Sequence, residues 1–450
     1  MKYQAYARHN LKKVPGYDQL SPAHRKAIRV VSEVFPFKTN NYVVNELIDW
    51  DNHALDPMYI LNFPQEHMLP RKEFKTLERM LDANASRADV ARYVQDIRLG
   101  LNPHPAGQMQ HNVPRLKGET LTGIQHKYRE TLLFFPTQGQ TCHAYCTFCF
   151  RWPQFTGTNE LKFAMKQPEL LVGYLKENPE VTDILITGGD PMVMKATVFR
   201  RYVDAILKAD LPQLKTIRIG SKSLSFWPYR YLTDPDADAL LDQFKRIADA
   251  GIHLAFMAHF NHPRELETEA LEAAVKRIRS TGAQIRTQSP LLRHINDDPA
   301  IWSAMWRRQV DLGMIPYYMF LARDTGAQPY FGVTLGEATG LFTEAYKQVS
   351  GICRTVRGPS MSAGPGKIRV AGVTTVREEE VFVLEFLQGR NPDWVGRPFF
   401  ARFDPKALWL SDLKPAFGER EFFYEKEYRK LLKVDTLPGH SLGREEKQSA

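Results

Sequence analysis

An α/β fold, built on an open parallel barrel of six strand–helix units, is what this sequence predicts. Three observations point to it. Short apolar runs recur through the middle of the chain: TLLFFPT from Thr131, DILITGG from Asp183, TIRIGS from Thr216, HLAFMAHF from His253, QIRTQSP from Gln284 and IPYYMFLA from Ile315. Most are followed by a polar or glycine-containing loop and then a longer amphipathic stretch, such as LEAAVKRIRST before Gly282. After the first unit the runs start about 31–37 residues apart, the length of a strand plus a crossover helix. The arrangement is a partial (βα)6 barrel, related to the eight-unit barrel.

The flanks differ from this core. The first hundred residues read as helical and irregular. Ser21-Pro22 offers an N-cap with proline at the first helical position. Ser86 to Asp89 forms a capping box, Val90, Val94 and Ile97 recur at helical spacing, and Gly100 stands where a helix ends. From Asn102 to Gly118 the chain is rich in Pro, Gly, His and Asn and reads as a loop. Past Glu380 the text turns aromatic and irregular and is expected to pack against the core. The tail from about Gly439 is polar and expected to fray. The expected division is an N-terminal helical region and linker at 1–125, a core at 126–375 and a C-terminal extension at 376–450.

The chain has 450 residues, 43% of them hydrophobic, enough for a large buried core. The net charge of +9 is scattered rather than gathered in blocks, which argues against a nucleic-acid partner. Anionic small molecules suit it better. The opening MKYQAYARHNLKK shows no apolar signal region, and no run approaches the ~18 apolar residues of a membrane span. Three of the four cysteines fall within eight residues, unlike a secreted disulfide framework. A reducing, cytoplasmic setting without membrane attachment is the expectation.

Those three are Cys142, Cys146 and Cys149, on one loop after the first strand. Soft thiolates select iron–sulfur clusters, zinc or Cu(I). A structural zinc site takes four protein ligands, usually in two pairs, and no second pair exists here. Three thiolates would hold three irons of a [4Fe–4S] cluster and leave the fourth open to a chelating small molecule. A zinc site completed by His143, or three incidental cysteines, are the other readings.

The spacing Cys142-x3-Cys146-x2-Cys149 at the end of the first barrel strand resembles the radical S-adenosylmethionine (SAM) superfamily. That resemblance implies SAM on the open iron, cleaved reductively to a hydrogen-abstracting radical. Gly188, Gly189 and Asp190, within Thr187-Gly188-Gly189-Asp190-Pro191, look like the superfamily's SAM contact. Read alone, they are a simple turn. The likeness narrows to the lysine 2,3-aminomutase family over roughly His126 to Val370. It is carried by His126-Lys127-Tyr128, Arg218-Ile219-Gly220, Trp227-Pro228-Tyr229-Arg230, His259-Phe260-Asn261-His262-Pro263, Gln288-Ser289-Pro290-Leu291-Leu292-Arg293 and Gly364-Pro365-Gly366-Lys367.

The resemblance implies a radical SAM isomerase that uses pyridoxal 5′-phosphate (PLP) and moves the amino group of an L-α-amino acid, lysine or a relative, from C2 to C3. In it Lys367 forms the Schiff base with PLP, a role that suits a desolvated lysine. Arg151 clamps the substrate carboxylate, as a planar guanidinium can. Arg230, with Lys127 or Arg129, holds the PLP phosphate. His259 and Gln288 face SAM, although a core histidine is an equal reading of the former. Asp324 matches one of two aspartates that hold the lysine ammonium, but the second position falls at Ser360, with Arg323 and Arg357 nearby in sequence. Electrons come from a flavodoxin- or ferredoxin-type donor. A PLP-independent radical SAM enzyme is the alternative. The sequence leaves open the amino acid and the oligomeric state, a homo-oligomer included.

Overall fold

The computed structural model describes residues 1–102, 111–156 and 163–435. Part of the expected Asn102–Gly118 loop, at 103–110, and the whole tail from Gly439 lie outside the described residues. Two short strands, β1 (Ala5–Ala7) and β2 (Lys38–Asn40), pair antiparallel, as do β3 (Arg115–Leu116) and β4 (Glu119–Thr120). Among the described residues all other strands belong to one sheet of eleven, whose spatial order follows the chain from β5 (Ile124–Tyr128) to β15 (Pro398–Arg402).

The six runs read from sequence are the strands β6 (Thr131–Phe134), β7 (Asp183–Ile186), β8 (Thr216–Ser221), β9 (His253–His259), β10 (Gln284–Leu291) and β11 (Ile315–Leu321). They pair in parallel, each with the next. The helices that return the chain between them are Pro168–Glu177, Ala196–Lys208, Ala237–Asp249, Glu269–Arg279 and Pro299–Asp311. A sixth helix, Leu335–Lys347, leads to β12 (Arg357–Ser362), which joins β11 as one more parallel strand. The sequence reading had stopped at β11. Its RGPSMS text has one large apolar residue and a proline, so no apolar run marks it.

Local chemistry explains these elements. In β8, Ile217 and Ile219 are buried in the main core, whereas Arg218 and Gly220, on the opposite face, line a central cavity. That is the two-residue period of a strand with two different neighbours. Helix Glu269–Arg279 buries Leu271, Ala274, Val275 and Ile278, one stripe at helical spacing. Thr268 caps its start by accepting from Leu271 N at 3.2 Å. Gly282, at φ +90°, then turns the chain into β10.

The elements outside the six strand–helix units adjoin the barrel at both ends. The text past Glu380 is regular: β14 (Glu379–Gly389) pairs with β13 (Gly366–Val376) and with β15 (Pro398–Arg402). The expected boundary at 375/376 falls inside β13, one residue before the hairpin turn. The C-terminal extension therefore continues the barrel sheet rather than packing on it. On its buried face Phe382, Leu384 and Phe386 join the main core.

The N-terminal region contributes helices α1 (Pro22–Val34), α2 (Pro57–Asn62), α3 (Arg71–Asp82) and α4 (Arg87–Gly100). Ser21 accepts from His24 N and Ser86 from Asp89 N, as the capping patterns predict. This region has its own apolar core, shared with Ala144, Trp152, Trp227 and Leu292 from the barrel mouth. It is a roof over the cysteine loop.

Candidate active site

The six barrel strands deliver their C-terminal ends and loops to one cavity of about 400 Å³. In parallel α/β barrels that is the end where chemistry collects. Cys142, Cys146, Cys149, Arg151, Gly188, Gly189, Asp190, His259, Gln288 and Lys367 all line it. Residues separated by more than two hundred positions thus share one chamber.

The cysteine loop lies between the barrel and its N-terminal roof. Lys38 donates from Nζ to the Cys142 carbonyl at 2.5 Å, and its own carbonyl accepts from Tyr145 N at 2.7 Å. Tyr3 donates its hydroxyl to the His143 carbonyl at 2.6 Å. Asn40, fully buried, donates to the carbonyls of His143 (3.2 Å) and Phe226 (2.9 Å) and accepts from the amides of Tyr42 and Val43. Thr147 is tied to α2 through the carbonyls of Ile60 and Leu61. None of these anchors was visible in the sequence, because each spans a long stretch of chain between the loop and its partner.

Asn40→Ala should therefore cost roughly 3 kcal/mol of stability, from the carbonyls and amides it strands in a buried site. It should also speed the loss of iron from the reconstituted protein. Thermal melts and iron content over time check both.

Burial pushes all three loop thiols up, Cys149 to about 11. Among the described residues no three His, Cys, Asp or Glu side chains converge closely enough to hold one metal ion. A single zinc at ~2.3 Å from each sulfur would draw thiolates within about 4 Å of one another. Three soft thiolates on one loop are a donor set suited to an iron–sulfur cluster with one open iron. His143, the other zinc-ligand candidate, is buried with Nδ1 unpartnered, and burial lowers its imidazole to about 3.

The glycine-rich edge packs directly on this loop. A Cβ at Gly189 would stand 2.5–2.6 Å from backbone atoms of Thr141, the residue before Cys142. Only glycine lets the two loops meet. Asp190 accepts from Met192 N (2.9 Å), Ser221 Oγ (2.8 Å) and Lys222 N (3.0 Å), which braces the edge. Burial still raises its carboxyl to about 6. His259 is held neutral by burial and by the neighbouring Lys222 ammonium.

Lys367, the second residue of β13, projects over the Tyr318 ring, 4.1 Å from its centroid. Burial, and then the fields of Arg218 and Arg357, lower its amine to about 7. Alone in the sequence this lysine reads as a surface turn; the fold buries it. Arg151 lies against Phe135 and Phe150, at 4.6 and 5.1 Å.

Three expected residues, Arg230, Asp324 and Arg129, are not on the cavity wall. Arg230 is buried elsewhere. Its guanidinium is occupied by Asp236 and by the carbonyls of Met192 and Met194, so it has no reach to a ligand in the chamber. Asp324 also lies off the wall, while its neighbour Arg323 lines it. Ser360 is fully buried, donates to the Met319 carbonyl at 3.2 Å, and is likewise not on the wall. Arg129 does not line the cavity either, although Lys127 does.

The sequence reading missed Arg218 as a site residue. It lines the cavity floor and pairs with Asp183 at 2.5 Å. The available signal was a charge in the middle of an apolar strand. In total six basic side chains, Lys127, Arg151, Arg218, Lys222, Arg323 and Lys367, face one carboxylate, Asp190, around the chamber. Such a one-sided wall is built for anions.

No protein-family model matches the chain. A protein of Aquifex aeolicus (strain VF5), named provisionally as an L-lysine 2,3-aminomutase, is 30% identical over 402 residues, 89% of this chain and 94% of the relative. The L-lysine 2,3-aminomutase of Clostridium subterminale is 24% identical over 65% of this chain and 66% of its own length. That of Bacillus subtilis (strain 168) is 29% identical over 44% of this chain and 39% of its own. Among the described residues no helix is long and apolar enough to cross a membrane.

Proposed function

The chain belongs to the lysine 2,3-aminomutase family of radical SAM enzymes, and on that footing we propose that it is a PLP-dependent 2,3-aminomutase of a free L-α-amino acid. The observation that carries this reading is one chamber shared by the cysteine loop and a buried lysine whose amine is lowered to about 7. An amine largely neutral at physiological pH is nucleophilic toward an aldehyde.

Cys142, Cys146 and Cys149 would hold three irons of a [4Fe–4S] cluster. Gly188 and Gly189 would let SAM approach the backbone beside it, with His259 and Gln288 on the facing strands. Lys367 would carry PLP. Lys127 and Arg218 take the phosphate-holding place expected of Arg230, since both lie on the wall and their fields act together with that of Lys367. When bound, these groups supply a hydrogen-abstracting radical and a π-system that holds the nitrogen as it migrates.

The chain's own residues bind, orient and enclose. Arg151, two residues past Cys149 and on the same wall, would receive the α-carboxylate and fix C2 and C3 of the substrate. The aromatic wall of Phe150, Tyr318 and Phe320 keeps water from a radical. The net change moves an amino group from C2 to C3 and a hydrogen the other way, with no gain of atoms or electrons. The external electron donor and the 126–375 functional core belong to the same proposal.

Oxygen-free reconstituted protein, given SAM, PLP, reductant and a panel of amino acids, should form a β-amino isomer of unchanged mass. Chromatography with mass spectrometry reads it. Iron–sulfur loading with SAM cleavage, but without PLP retention or any β-isomer, would overturn the aminomutase reading and leave a PLP-independent radical enzyme.

A further inference from the structure

The cavity wall discriminates between kinds of amino-acid side chain. Its one lining carboxylate, Asp190, is committed to Met192 N, Ser221 and Lys222 N. No other acidic side chain among the described residues lines the chamber. An amino acid with a cationic side chain would enter a partly desolvated space already lined by cations. Unpaired like charge at low dielectric is strongly disfavoured.

The cations are not equivalent. Arg218 is neutralised by Asp183, and Lys222 by Glu265 at 2.6 Å. Arg151 and Arg323 make no ion pair within 4.0 Å among the described residues. Both lie against one ring: their guanidinium carbons are 5.1 and 5.0 Å from the centroid of Phe150. They are therefore no farther apart than the sum of those distances. Arg323 also keeps Nε buried without a hydrogen-bond partner among the described residues. Two unpaired forks at that separation suit a molecule with a carboxylate at each end.

We propose, resting on the aminomutase reading above, that the substrate carries an acidic side chain and that Arg323 receives its distal carboxylate while Arg151 receives the α-carboxylate. Arg323 is then the residue that sets substrate class, and the corresponding product is a β-amino dicarboxylic acid. A carboxylate leaving water for this wall gains two charge-assisted contacts, whereas an amide of the same shape gains weaker ones and an ammonium is repelled.

Binding tests this without any radical chemistry. PLP-loaded holoenzyme, with SAM but no reductant, is titrated with L-glutamate, L-glutamine and L-lysine by calorimetry. Glutamate is expected to bind at least about tenfold more tightly than either of the others. Arg323→Gln should weaken glutamate by about 10- to 100-fold, leave glutamine within about twofold, and keep the wild-type PLP content. Lysine or glutamine binding as tightly as glutamate would overturn the proposal. So would an Arg323→Gln protein that loses PLP yet keeps its discrimination, which would give Arg323 to the phosphate. A holoenzyme that isomerises lysine or glutamine but not glutamate overturns this inference and spares the aminomutase reading. Failure to retain PLP or to isomerise any amino acid overturns both.

Discussion

Alanine in place of any one of Cys142, Cys146 or Cys149 is expected to reduce turnover to background, a loss on the order of 10⁴-fold or more. Each thiolate would carry a different iron, so none can stand in for another. Cys353, the remaining cysteine, is buried beside Ser350 and is not on the cavity wall. The fold should survive the substitution, because the loop is also held by Lys38, Asn40, Tyr3 and Thr147 through backbone carbonyls and amides. Circular dichroism should stay native while iron and sulfide fall and the electron paramagnetic resonance signal of the reduced protein disappears. A variant that kept four irons and its response to added SAM would remove the cluster from this loop.

Lys367→Ala should be as severe for the isomerisation but should spare the cluster. Borohydride treatment of PLP-loaded wild-type protein should attach the cofactor's carbon covalently to Lys367, and peptide mapping by mass spectrometry should find no such adduct in the variant. SAM cleavage without substrate should continue. The lowered amine adds a pH dependence. Attachment of PLP to the apo-protein should quicken as pH rises through about 7, not through the ordinary lysine range near 10.5.

The same shift appears in stability. The folded chain releases the Lys367 proton at about 7 and the unfolded chain only near 10.5, so between these values the unfolded state binds more protons. Stability of the apo-protein should then rise with pH across that window, and the contribution should vanish in Lys367→Ala. A denaturant series at pH 7, 8 and 9 reads the difference in slope. An unchanged slope would mean that the amine is not buried as the fold places it.

Legibility differed from residue to residue for physical reasons. Strand β9, HLAFMAH, is apolar along almost its whole length because a central parallel strand is covered on both faces, and it stood out at once. Strand β12 carries two serines, a glycine and a proline and was silent, although it extends the same parallel sheet. The cysteine loop was readable because its ligands are neighbours in sequence. Lys367 was readable only through resemblance, since a lysine after Gly-Pro-Gly says nothing about burial.

The charges were least readable. Arg230 lies on a short 3-10 helix, Pro228–Tyr231, and Arg323 and Asp324 on a loop; in both, sequence says which group is present but not which way it points. Tertiary packing turned Arg230 onto Asp236, put Arg323 on the wall and kept Asp324 off it.

What the sequence determined by itself was periodic or contiguous: six strand–helix units, the order of the elements, and three thiols on one loop. Such features depend on neighbours within a few residues, through side-chain alternation and short-range spacing. The tertiary structure alone decided that the N-terminal helices roof the cysteine loop, that the C-terminal strands extend the barrel sheet, and that six cations face one carboxylate. Those outcomes depend on strand register and on contacts between residues hundreds of positions apart. A charge's effect follows from what surrounds it in space, and no local pattern encodes that.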